Sequence, residues 1–484
     1  MVGVDWTQRL GGLSNDTLMV IRACPDGGCI VGGTTKSGIG GNKTSAKYGG
    51  TDLWVARRNS AGEAQWDKTF GGARNPVFPS VEAYDYLDTI VPATDGGFLL
   101  VGESNDSVGG SKTVSGNGYW DMYVIKINAQ GDQIWDRALG SSAIDAASGA
   151  CATSDGGYAL VGFTQRAGNS DVWVVKLDSF GNLIWERSYG GTNEDQGVAI
   201  IQRTNGGYFV AANSASQPSG TKTSAFYGGG YWFSEAAGDF WILSLDSQGN
   251  KIAEQSFGGI YDEAIHEMIR TDDDGVIVVG QSLSPASGNK NAVSLGNGDG
   301  WIVRLDAVGN KIWERSLGGP WWDKVATVQL MYDGGFIVGG ATNGVTPWLV
   351  RLDHAGTILW QQNASLPSDA YEVASIDLTP EGGFFIGGSA NLSANGFGQS
   401  DFAITRTKPE PPLLASTCDP ATVPTQGFVL QVRSVPATCV VEWSPNVIEW
   451  FPLQTNISTG TVYEVIDGAA TNVCQRFYRV LRLN

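Results

Sequence analysis

Side chains that could move a proton, hold a metal or grip a ligand are sparse in this 484-residue chain. It has two histidines. His266 stands among Asp262, Glu263 and Glu267, a grouping that could do the general acid/base work of polysaccharide cleavage. His354 falls in an Asp-His-Ala-Gly turn and is expected to be solvated. A second set is acidic. Asp16, Asp85, Asp145, Asp195, Asp262 and Asp323 each precede a comparable strand-like run, and a ring of such hard oxygens could hold Ca2+. A residue recurring in this way also fits an Asp that caps a Gly-Gly turn. The third set is aromatic: Tyr48, Tyr119, Trp120, Tyr227, Tyr231 and Trp232. They lie in Gly-rich stretches that follow Gly41-Asn-Lys-Thr, Gly110-Ser-Lys-Thr, Gly220-Thr-Lys-Thr and Gly288-Asn-Lys-Asn. Aromatic faces beside Asn, Ser and Lys suit sugar rings. The alternative is a set of self-packed loops whose Lys-Thr pairs satisfy loop carbonyls. The chain carries no GxSxG, HExxH, P-loop or dinucleotide fingerprint.

The elements that must position these residues are repeated. A DGG-like turn has its first residue at Asp26, Asp95, Asp155, Asn205, Asp273, Asp333 and Glu381. A strand start follows at Asp52, Asp121, Asp171, Asp239, Asp299, Thr346 and Asp401. Fourteen residues past each of the first six of these starts stands a Trp (66, 135, 185, 313, 360) or, at 253, an Ala. Such a period marks one supersecondary unit, buried by its neighbours. Each unit offers four strand-like runs; in the third they are about 145–153, 158–162, 172–177 and 183–189. Four short strands per repeat is the pattern of a propeller blade, and 67 glycines suit its many tight turns.

The seventh unit stops after its third strand at Asp401-Phe-Ala-Ile-Thr-Arg, while Trp6-Thr-Gln-Arg-Leu reads as a fourth strand with no unit before it. The expectation is all-β: a seven-bladed β-propeller over 1–407, closed by the N-terminal strand. A Pro-rich linker (408–412) and a small β-sandwich (413–484) then follow.

The segment Leu177-Asp-Ser-Phe-Gly181-Asn-Leu-Ile-Trp185 resembles the tryptophan-docking repeat of PQQ-like propellers. The longer unit resembles the repeat of secreted bacterial propeller proteins, and WSPNVIEWFPL with RFYRV resembles a β-sandwich module at the C-termini of such proteins. The resemblance implies a fold and little about activity. Quinoprotein dehydrogenases have eight blades and an adjacent Cys-Cys pair, so PQQ is not expected and no cofactor is assigned beyond the Ca2+ option.

A net charge of -18 without a Lys/Arg run argues against nucleic acid, and no apolar stretch reaches 18 residues, the length that would suggest a transmembrane span. Cys24 and Cys29 flank a turn and could bridge its two arms, which would favour an oxidising compartment. Constant turns occupy one face of the propeller, and loops of variable length, with the long inter-blade link Ala73–Tyr84, occupy the other. The longest loop, Ser214–Gly238, departs furthest from the pattern. The expected function is a secreted or cell-surface binding scaffold that offers this loop face to a glycan or protein. The alternatives are a carbohydrate-active enzyme using His266 with Glu263 and Asp262, and a structural subunit of an extracellular assembly.

Overall fold

A computed structural model of the chain describes residues 3–73, 84–166, 168–228, 238–391 and 400–409. Beyond these it describes strands at 413–416, 428–433, 437–444, 451–458, 462–467 and 477–483. All regular structure among these residues is β, and no helix is long and apolar enough to cross a membrane.

Seven four-stranded antiparallel sheets form the propeller. Blade 3 is typical, with strands Asp145–Ala152, Tyr158–Thr164, Asp171–Leu177 and Leu183–Tyr189. The last blade takes its first three strands from Ser375–Leu378, Phe384–Asn391 and Ser400–Thr407, and its fourth from Val4–Leu10. That N-terminal strand pairs Trp6 with Arg406 and Leu10 with Phe402, closing the ring.

The second and third strands of a blade are covered on both faces, so they read as nearly unbroken apolar runs; Asp121–Ile127 and Asp239–Leu245 are buried throughout. Their side chains meet those of the next blade. Ile30, Leu53 and Val55 of blade 1 pack with Leu87, Ile90, Leu100 and Ile125 of blade 2. Each such residue contributes about 1.5–3 kcal/mol by leaving water.

Two repeated devices fix the constant face. The first is an ion pair between a third-strand cation and the DGG acid: Arg57 with Asp26, Lys126 with Asp95, Lys176 with Asp155, Arg304 with Asp273, Arg351 with Asp333 and Arg406 with Glu381. Blade 4 has Asn205 in place of the acid and Ser244 in place of the cation, so neither charge is left alone. The second is the fourth-strand Trp, which lies against the glycine of the next blade's Asp/Asn-x-x-Gly turn. Trp66 meets Gly131, Trp135 meets Gly181, Trp185 meets Gly249, Trp313 meets Gly356, and Trp6 meets Gly62 across the closure. Trp135 and Trp185 also meet Tyr158 and Tyr208 of the following blade edge-on.

Cys24 and Cys29 are separate buried thiols, which corrects the expected bridge. Cys24 packs with blade 2 residues and Cys29 with the closing blade, on opposite faces of one hairpin. The argument for an oxidising compartment drawn from that pair falls with it. The C-terminal strands form two three-stranded antiparallel sheets, where Val441 of one and Val465 of the other meet beside Leu453, Tyr478 and Val480.

Candidate functional site

In every blade the first and third strands begin, and the second and fourth end, on the loop face. The links between blades therefore run over that face, and five of them pass through a glycine wedged between two carboxylates (Gly11, Gly71, Gly140, Gly190 and Gly258). A Cβ on Gly140 would stand 2.2 Å from Asp121 and 3.0 Å from Asp145; Gly190 lies likewise between Asp171 and Asp195, and Gly258 between Asp239 and Glu263.

The acids at the first-strand starts cap these links. Asp16 accepts from the Gly12 N–H at 2.7 Å and the Ser37 hydroxyl at 2.9 Å, and Asp195 from Gly191 and Ser216, both at 2.7 Å. Asp85, Asp145 and Asp323 accept from the N–H groups of Gly72, Ser141 and Gly319. In blade 5 the cap is Glu263, which takes the Gly259 N–H at 2.9 Å and the Ser282 hydroxyl at 2.8 Å. This corrects the placement of Asp262 in the ring. Glu263 is thereby committed to the scaffold instead of serving His266.

Burial pushes several of these carboxyls up, Asp239 to about 8. A carboxyl raised above its unfolded value of about 4 stabilises the fold fully below that pH, and the contribution is lost as pH rises through the folded value. Between about pH 4 and 8, Asp239 therefore makes the protein less stable as pH increases. Replacing Asp239 by Asn should flatten the rise in urea midpoint between pH 8.5 and pH 5; an unchanged slope would refute the assignment.

The Lys-Thr loops are internally bonded. Lys43, Lys112, Lys222 and Lys290 are buried beside the rings of Trp54, Tyr123, Trp241 and Trp301. Their ammonium groups donate to loop oxygens such as those of Ser45, Asp106, Ser224 and Ser284. Thr44, Thr113 and Thr223 donate to Asp67, Asp136 and Glu254 on the fourth strands.

Of the aromatic candidates, Tyr48 and Tyr119 are close to half exposed. Tyr48 leans on Gly110 of the neighbouring loop, and Tyr227 on Gly288. Trp120, half-buried, stacks on Tyr86 at 5.7 Å and Tyr84 at 6.3 Å, with Lys36 above Tyr84. Tyr231 and Trp232 lie outside the described residues.

Two sets of residues escaped the sequence reading. One is an apolar rim on the loop face: Leu13, Ile39, Val108, Ile260, Val293 and Trp321 each expose half or more of their surface, Trp321 61% and Val293 69%. The Pro320-Trp-Trp322 link, with two adjacent tryptophans ahead of the capping Asp323, was its visible signal.

The other set lines the central channel. Six inner strands carry a β-bulge at the same register, leaving Met19, Asp88, Ser148, Val198, His266 and Ala326 unpaired. An unpaired extra residue re-aims its side chain, and all six line a channel cavity of about 360 Å³ with Arg22, Glu267 and Asp377. His266 is surrounded by protein yet accessible from this cavity; its Nδ1 donates to the Val325 carbonyl at 2.8 Å, leaving Nε2 as the acceptor nitrogen. Desolvation by the surrounding protein lowers its pKa. Glu267, raised by burial, accepts from the Val328 N–H at 2.7 Å. Asp88 is raised well above the usual range by burial and by Glu103, itself pushed up to about 7 by burial.

No family model and no curated protein matches the chain. Among solved structures it is similar to the WD40 domain of Neurospora crassa Pan2, with 13% identity, a TM-score of 0.45 and 84% of this chain and 96% of that one covered. A BBS1 domain solved in complex with ARL6 shows 8% identity and 0.42, over 83% and 96%. A gluconolactonase of Xanthomonas campestris shows 11% and 0.34, over 68% and 90%. The seven sheets themselves define the class, a seven-bladed β-propeller, and that fold is compatible with a binding scaffold.

Proposed function

We propose that this protein is a secreted or surface-exposed binding scaffold whose loop face receives a protein partner, the C-terminal unit serving as a β-sandwich spacer or attachment module. One observation carries the reading: the apolar rim of the loop face. Leu13, Ile39, Ile260 and Trp321 occupy loops that differ from blade to blade, and exposed apolar side chains grouped on one face mark interaction surfaces. A glycan reading draws less support, because Trp120 is stacked on Tyr86 and Tyr84 and only Tyr48 and Tyr119 among the described candidates are exposed. The enzyme reading keeps His266 and Glu267 in the channel but loses Glu263 to the scaffold.

Photo-crosslinking tests the proposal. A benzophenone side chain at position 39 or 321 should yield one adduct of the same mass from both positions in the source cells. Position 180, on the opposite face and also exposed, should yield none. Equal labelling from all three positions, or an adduct competed away by soluble polysaccharide, would overturn it.

A further inference from the structure

Blade 2 departs at one buried position from the three other blades whose loops carry a buried lysine. In blades 1, 4 and 5 the second strand runs into Thr35-Lys-Ser37, Ser214-Ala-Ser216 and Ser282-Leu-Ser284. The last hydroxyl of each accepts an N–H from the incoming link: Ser14 to Ser37, Asn193 to Ser216 and Tyr261 to Ser284. Ser37 and Ser216 also donate to the capping carboxylate. In blade 2 the sequence is Ser104-Asn-Asp106, so a carboxylate stands where a hydroxyl donor should.

Asp106 is 3% exposed, and neither of its oxygens has a hydrogen-bond partner among the described residues; Asp85 Oδ1 is likewise unpartnered. Asp52, Asp85 and Asp106, all buried, bring one oxygen each within 4.8 Å of the other two. A backbone oxygen joins them. A Cβ on Gly49 would stand 2.7 Å from Asp106 Oδ2, 3.2 Å from Asp52 Oδ1 and 3.2 Å from the Gly72 carbonyl, so the pocket depends on a glycine there. Lys112 offsets part of the charge, yet its equivalent Lys290 sits the same way beside Ser284. The lysine is therefore not an answer to the extra carboxylate.

We propose that the Asp52, Asp85 and Asp106 carboxylates, with the Gly72 carbonyl, form a structural site for a hard divalent cation, Ca2+, that locks blade 1 to blade 2. Oxygen-only ligands in an irregular, mostly carboxylate set are what Ca2+ accepts. Leaving three facing carboxylates buried without a cation is costly.

The full chain, stripped with EDTA and titrated with CaCl2 by calorimetry, should bind one equivalent that Asp106→Ser and Asp106→Asn lose or weaken at least tenfold. Asp106→Ser restores the hydroxyl of the sibling blades, so it should fold and melt in EDTA at or above the stripped wild type. Ca2+ should raise the wild-type Tm and leave that of D106S unmoved. Failure of the wild type to take up this equivalent, or retention of it by both variants, overturns the site.

Discussion

Deleting residues 1–11 is expected to destroy the cooperative fold. The lost strand Val4–Leu10 supplies the ladder from Val4–Thr407 to Leu10–Phe402. It also supplies the buried Leu10 and Trp6, whose ring lies against Gly62 of blade 1 and Phe385 of blade 7. At about 1 kcal/mol per net hydrogen bond and 1.5–3 kcal/mol per buried apolar side chain, the loss is of order 5–10 kcal/mol. That approaches the whole stability of an ordinary domain, about 5–15 kcal/mol. The opened blade would also present Ser400–Thr407 as an unpaired edge, a template for aggregation. Size-exclusion chromatography should show aggregates and circular dichroism a broad, non-cooperative melt. A synthetic peptide spanning 3–12 should restore part of the transition. A monodisperse truncated protein with an unchanged Tm would mean that the ring does not depend on this closure.

The scaffold was readable because its physics repeats. A strand of seven residues, a two-glycine turn and a wedging Trp must recur at one spacing for blades to stack. The expected strands of blade 3 accordingly lie within two residues of those observed. What departs from the repeat was harder to read. Cys24 and Cys29 looked like partners in sequence, but Cys29 lies in a strand whose side chains alternate between the two neighbouring blades. Asp262 and Glu263 are adjacent acids, and only the register, which pairs Glu263 with Ser282, decides which one caps the link. The channel residues depend on bulges, an extra unpaired residue that leaves no mark on composition or period. Asp106 was visible in principle, through alignment of the second-strand ends of blades 1, 2, 4 and 5, the four whose next loop carries a buried lysine, because among them it alone breaks the Thr/Ser-x-Ser pattern.

The wedge between blades predicts the other large effect. Gly181 has φ of +77°, and a Cβ there would lie 2.9 Å from the Trp135 ring. Gly181→Ala must therefore meet a left-handed backbone penalty of about 1–2 kcal/mol and displace a packed indole, for a total of about 2–4 kcal/mol. The molecule contains its own control. At the junction of blades 4 and 5 the Trp is replaced by Ala253, and Gly309, with φ of +94°, has its nearest atoms at 3.9 Å and 4.0 Å, from Phe209 and Gln255. The guanidinium of Arg203 stacks on Phe209 at 4.6 Å and donates to the Ala307 carbonyl in that turn. Gly309→Ala should then cost only the backbone term, about 1–2 kcal/mol. Urea denaturation of the two variants should separate them by about 1 kcal/mol or more. In a Trp135→Ala background the excess at Gly181 should vanish, because residues in contact do not add. Equal costs at the two glycines would show that the indole yields freely and that the blades are held by their strand cores alone.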